Sequence, residues 1–169
     1  MLGGLLVLVP VLAHSYTRSS TIELHINSTI DLKPFECCYS SMKIKLTSVF
    51  VDDQSKALKF YTKILGFVKK SDVTAGKFRW LTVVSPEEQD GTQLQLGLND
   101  NPAAKSYQES IFKQGVPAAM FDVDDIQKEY QRLKRLGVKF TMEPTKTPGS
   151  TIAVFDDTCG NLIQLRQFG

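Results

Sequence analysis

Histidine is nearly missing from this chain. Of 169 residues only His14 and His25 are histidine, and none occurs from Met42 to the end. That removes the commonest general base and the commonest metal ligand from most of the sequence. Cysteine is almost as scarce. Cys37, Cys38 and Cys159 are too few, and too unevenly spaced, for a disulfide framework or a C-x-x-C metal or redox pair. A reducing, cytoplasmic setting is the default. Charge of either sign is also undistinguished: 20 basic against 18 acidic residues leave a net +2, with no basic run, so nucleic acid is not an expected partner. Long apolar runs are absent. The stretch Leu5–Ala13 is too short to span a bilayer, and it lacks the basic residues that precede a secretory core, so no membrane partner is expected.

What remains suits one globular domain with a tail, at 42% hydrophobic and 22% charged residues. Patterning changes abruptly at Met42. Residues 1–41 show no sustained period and read as an N-terminal extension, disordered or outside the fold, while 42–169 form the domain. Asn27-Ser28-Thr29 matches a glycosylation sequon, but so short a match carries no functional weight here.

From Met42 the chain states one plan twice. Val51-Asp52-Asp53 returns as Val123-Asp124-Asp125, 72 positions on, and Leu65-Gly66 returns as Leu136-Gly137. This reads as an internal duplication. In the first copy Asp53 caps a helix whose Ala57, Leu58, Phe60, Tyr61, Ile64 and Leu65 face inward and which Gly66 stops. In the second, Asp124 or Asp125 caps, Ile126, Tyr130, Leu133 and Leu136 face inward, and Gly137 stops. A strand-like run precedes each helix and three follow, so each copy is a βαβββ unit. The link between them begins a short helix near Pro102, with Tyr107, Ile111 and Phe112 as its apolar side. The closing strands alternate. Leu94, Leu96 and Leu98 oppose Gln93, Gln95 and Gly97, and Ile163 and Leu165 oppose Gln164 and Arg166, so the apolar faces pack under the helices and the glutamines line a concave face.

With "VFVDDQSKALKFYTKILGF" and "FDDTCGNLIQL" in place, the chain from Met42 to Phe168 resembles the vicinal oxygen chelate superfamily of glyoxalase I, bleomycin-resistance proteins and extradiol dioxygenases. The resemblance implies an α+β fold of paired βαβββ modules, a curled eight-stranded mixed sheet around a pocket. Metal-dependent members hold a divalent ion with four residues, usually His or Glu, on the first and last strands of each module. Here those positions fall on Leu46, Gln95, Ala118 and Gln164, with Gly97 in place of Gln95 if the register slips by two. None is a carboxylate or an imidazole, so neither a metal nor any other cofactor is expected.

The candidate ligand-binding residues are therefore Leu46, Trp80, Gln93, Gln95, Ala118 and Gln164. Trp80 serves either the core or an aromatic wall for a planar ligand. Asp156, Asp157 and Cys159 read as turn chemistry, with Cys159 exposed in the turn. Three functions compete. One is a metal-independent protein of the bleomycin-resistance kind that binds a small organic molecule; another is a metal-dependent lyase or dioxygenase resembling glyoxalase I; the third is a protein whose paired sheets serve only assembly. Each allows a homodimer.

Overall fold

Strand and helix signals resolve into two modules of the same plan. The computed structural model describes residues 41–169; the expected extension over 1–41 lies, apart from Ser41, outside the described residues. The first module runs β1 (Leu46–Val51), α1 (Gln54–Lys59), β2 (Val68–Ala75), β3 (Phe78–Val84) and β4 (Gln93–Leu98). A linking helix α2 (Pro102–Lys113) leads to β5 (Ala119–Asp122), α3 (Ile126–Arg135), β6 (Phe140–Thr147), β7 (Ser150–Asp156) and β8 (Leu162–Phe168). The strands form two four-stranded mixed sheets, ordered β1-β4-β3-β2 and β5-β8-β7-β6. In each, the first and last strands of the module are parallel and the other pairs antiparallel. The fold is α+β, with all eight expected strands present.

Local chemistry sets the helix starts. The Asp53 carboxylate accepts from the N–H groups of Ser55 and Lys56, satisfying two orphan donors of α1, and those bonds hold its pKa below the usual carboxylate value. Asp125, not Asp124, plays the part for α3 by accepting from Lys128 N–H. After Lys59 the first helix widens into one π-helical turn, Phe60–Ile64, in which Leu65 N–H reaches back to Phe60 O at 3.1 Å. Both Phe60 and Tyr61 are thereby seated in the core. Gly66 and Gly137 end the two helical segments with φ of 86° and 85°, a conformation other residues adopt only at a cost.

The two modules share one core. Val49, Val51, Phe60, Tyr61, Leu81 and Leu96 from the first pack in one cluster with Ile126, Leu133, Phe155, Ile163 and Leu165 from the second. Phe60 lies against Phe155, and Phe67 meets Phe121 edge-on. Both sheets therefore turn their helix-covered faces to a common interior, and the opposite face of each is left open.

Three expected core positions differ. Leu136 is exposed, because α3 ends at Arg135 and the chain swings away at Gly137. Tyr107 is likewise exposed: α2 turns Gln108 inward instead, where its amide finds partners in Phe50 O, Cys159 O, Asn161 Oδ1 and the Asn99 amide. Leu98 is exposed for a topological reason. The β3–β4 ladder holds only at Thr82↔Gln95 and Val83↔Leu94, whereas β7 and β8 pair over all seven residues Ser150–Asp156. Past Thr82, toward Phe78, the β2–β3 hairpin peels away from β4, and Leu98 loses its neighbour.

Candidate functional site

That separation of β3 from β4 makes a cleft. Gln54, the first residue of α1, spans it: its Nε2 donates to Arg79 O at 3.0 Å and to Leu96 O at 2.7 Å, one carbonyl from each strand. A single amide thus holds the strands in register where their own ladder has stopped. The second module has Ile126 at the equivalent position, buried in the core, and no such gap. Gln54 was not among the sequence-derived candidates; its mismatch with Ile126 across the repeat is the signal that could have found it.

The cleft has a volume of about 560 Å³, and its walls include Phe50, Val73, Phe78, Trp80, Gln95 and Gly97. Trp80 is 46% exposed and borders the cleft, so it is not a core residue. Gly97 matters here because a side chain at that position would begin 3.7 Å from the Phe50 ring and enter the cleft. A second, smaller cleft of about 320 Å³ lies between the modules, lined from both of them by residues that include Ser48, Gln93, Ala118 and Met120. The two clefts share Ser48.

The six candidate residues divide as follows. Trp80 and Gln95 meet in the larger cleft, Gln93 and Ala118 in the smaller, and Leu46 and Gln164 line neither. Leu46 pairs with Gln93 at the start of β1. Gln164 sits on the open face of the second sheet, its Nε2 3.2 Å from Met120 Sδ. Farther along that face stands an ion pair, Arg166 Nε and Nη2 on the two Asp122 oxygens at 2.7 and 2.9 Å, with the guanidinium over the Phe168 ring. The register puts Phe50 and Gly97 where the second sheet has Asp122 and Arg166. A ring and a bare backbone leave a hollow where an arginine fills one.

At the first cleft Arg79 is fixed by two bonds to Asp72, at 2.8 and 3.0 Å, and a third to Ser55. The guanidinium holds the Asp72 carboxyl down at about 2. Cys159 is buried, contrary to the expectation of an exposed turn thiol: its turn is folded beneath α2 and the end of β1, where Asp52 N–H and Gln108 bond its carbonyl. Burial pushes its thiol up to about 12, so the thiolate needed for nucleophilic chemistry is not formed near neutral pH.

The four positions that the resemblance marks as metal-ligand positions carry side chains that do not fit a divalent cation. Leu46 and Ala118 offer no donor atom, the Gln95 amide oxygen already accepts from Ser48, and Gln164 turns its amide nitrogen to a thioether. No charge is present among them to offset dehydration of the ion.

Comparison with known proteins agrees with this architecture. The family model of the Glyoxalase/Bleomycin resistance protein/Dioxygenase superfamily matches residues 43–165. The uncharacterized protein YurT of Bacillus subtilis (strain 168) is 66% identical over 126 residues, which cover 75% of this chain and 99% of YurT. Among solved structures, UcmS2 aligns at a TM-score of 0.66 and 32% identity over 75% of this chain and 98% of its own. TnmS3, an antibiotic binding protein from Streptomyces sp. CB03234, aligns at 0.62 and 29% identity over 77% and 98%.

Proposed function

The chain belongs to the Glyoxalase/Bleomycin resistance protein/Dioxygenase superfamily, and on that premise we propose that it binds a small, flat organic molecule without a metal ion. The observation that carries this reading is the aromatic cleft of the first sheet. Indole and phenyl rings left exposed around a hollow of this size cost free energy in water, which a planar ligand recovers by covering them. Binding rather than turnover is the simpler use of it. The aromatic rings, the amide of Gln95 and the hydroxyl of Ser48 are neutral groups, and of the charged groups that also border the cleft Arg79 is tied to Asp72 while Lys77 and Asp100 are exposed.

The antibiotic-binding relative TnmS3 supports the ligand class, and an antibiotic is one kind of molecule such a cleft would take. A homodimer fits the same reading, because Met120, Met142 and Phe168 leave apolar surface on the open face of the second sheet. A cytoplasmic setting accords with Cys159 being a free thiol.

A screen of planar organic compounds, followed by Trp80 fluorescence and thermal shift, tests the proposal. Saturable quenching with a rise in melting temperature is expected for at least one compound class. A screen in which no compound perturbs Trp80 or the melting temperature overturns it.

A further inference from the structure

Both glutamines on the open face of β4 have had their oxygen taken. Ser48 Oγ lies 2.9 Å from Gln95 Oε1, and Thr82 Oγ1 lies 2.8 Å from Gln93 Oε1. Each contact joins a hydroxyl to an amide oxygen, so the only hydrogen available is the hydroxyl's and the direction of both bonds is fixed. The hydroxyl donates, the amide oxygen accepts, and the amide NH₂ is turned the other way. Ser48 faces Gln95 because β1 and β4 pair at that register, and Thr82 is wholly buried, so its hydroxyl has little freedom to point elsewhere.

From this we infer that the cleft selects ligands carrying a hydrogen-bond acceptor, a carbonyl oxygen above all, over ligands of the same shape that carry a donor. Gln95 supplies the donor inside the larger cleft, and Gln93, two residues away on the same face, supplies a second in the smaller one. Ser48 is the positioning residue, setting which end of the Gln95 amide a ligand meets. Of the other polar groups at the larger cleft, Arg79 is held by Asp72 and Ser55, and Lys77 and Asp100 are exposed where water screens their charge. Gln54 is the one opposing amide: its nitrogen is spent on two backbone carbonyls and its oxygen is left to accept, so the preference is that of the Gln95 end of the cleft and Gln54→Leu should sharpen it. The inference rests on the binding role proposed above and names what that binding discriminates.

Three tricyclic probes of nearly equal shape test it by equilibrium dialysis: fluorenone, which carries an acceptor; carbazole, which carries an N–H donor; and fluorene, which carries neither. The natural protein should hold fluorenone about fivefold more tightly than fluorene, the worth of one net hydrogen bond, and carbazole no more tightly than fluorene. Gln95→Leu should keep fluorene affinity and erase the fluorenone preference. Ser48→Ala, at an exposed position, frees the amide to rotate and should narrow the gap between fluorenone and carbazole, which a purely structural serine would not do. Equal binding of all three probes, or an unchanged fluorenone to carbazole ratio in Ser48→Ala, overturns the inference while leaving the binding role intact. Failure of every probe to bind overturns both.

Discussion

The hydroxyl of Tyr61 donates to Oδ2 of Asp157 at 3.0 Å, joining residues 96 positions apart. The contact ties the π-helical turn of the first module to the β7–β8 turn of the second, and both partners are buried. Asp157 also accepts from Cys159 N–H, Asn161 N–H and Asn161 Nδ2, and Asn161 Nδ2 in turn reaches Phe50 O. The seam between modules is therefore a polar knot inside an apolar core, with every partner satisfied. Tyr61→Phe keeps the packing and deletes one donor, so it should lower the unfolding free energy in urea by about 2 kcal/mol. A change below about 0.5 kcal/mol would show the bond to be dispensable.

The same knot has a pH signature. Burial raises the Asp157 pKa, and the hydrogen bonds it accepts only partly oppose that shift. A carboxyl raised in the folded state contributes stability that is full below its unfolded value, about 3.9, and is lost as pH rises through the folded value. The deficit of Asp157→Asn relative to the natural protein should therefore be largest in acid and shrink as pH rises. A deficit that grows with pH would mean that the hydrogen bonds outweigh burial.

The fold was readable because its signals are local and repeated. Asp53 and Asp125 cap, Gly66 and Gly137 stop, and β4 and β8 alternate Leu or Ile with Gln, so two βαβββ units follow from spacing alone. The site was readable only in part. Alternation shows that Gln93, Gln95 and Gln164 share the open sides of their sheets, but not that the first sheet is hollow and the second filled. That difference depends on partners far apart in sequence, Phe50 on Gly97 in one sheet and Asp122 with Arg166 in the other. Cys159 was misjudged, and the inward turn of Gln108 was not anticipated, for the same reason. Turn residues are usually exposed and glutamine usually faces water, yet here each is covered by an element from elsewhere in the chain.

Gln54 should prove to be the residue that keeps the cleft shaped. Gln54→Leu removes two hydrogen bonds and leaves Arg79 O and Leu96 O to find other partners, at a cost of about 2 kcal/mol in urea unfolding. The loss should be local as well as global: amide exchange in Arg79–Leu81 and Leu96–Leu98 should quicken more than in the fully paired β7–β8 ladder. Uniform quickening across both sheets would show that Gln54 has no special hold on the gap.

Metal analysis offers a separate check on the binding role. Protein purified without chelator should carry far less than stoichiometric zinc, nickel, iron or manganese, since Leu46, Gln95, Ala118 and Gln164 present no anionic or imidazole donor. One equivalent of any of these ions surviving gel filtration would refute the metal-independent reading and favour a lyase or dioxygenase.

Filling the cleft without disturbing the fold is the sharpest test of where the ligand sits. Gly97 is the place to do it. Its φ is not in the left-handed region, and a Cβ built there meets Phe50 Cδ1 at 3.7 Å and Val49 O at 3.8 Å, ordinary contacts that need no backbone movement. Gly97→Leu should therefore leave the melting temperature within a few degrees of the natural value, helped by the strand's gain of a side chain in place of glycine. The leucine would occupy the space beside Phe50 and Trp80 where a planar ligand has to lie. Affinity for fluorenone should drop on the order of tenfold or more, while Ala118→Leu, which crowds only the smaller cleft, should change it by less than about threefold. If Ala118→Leu abolishes binding and Gly97→Leu does not, the ligand lies between the modules and the aromatic cleft is not the site.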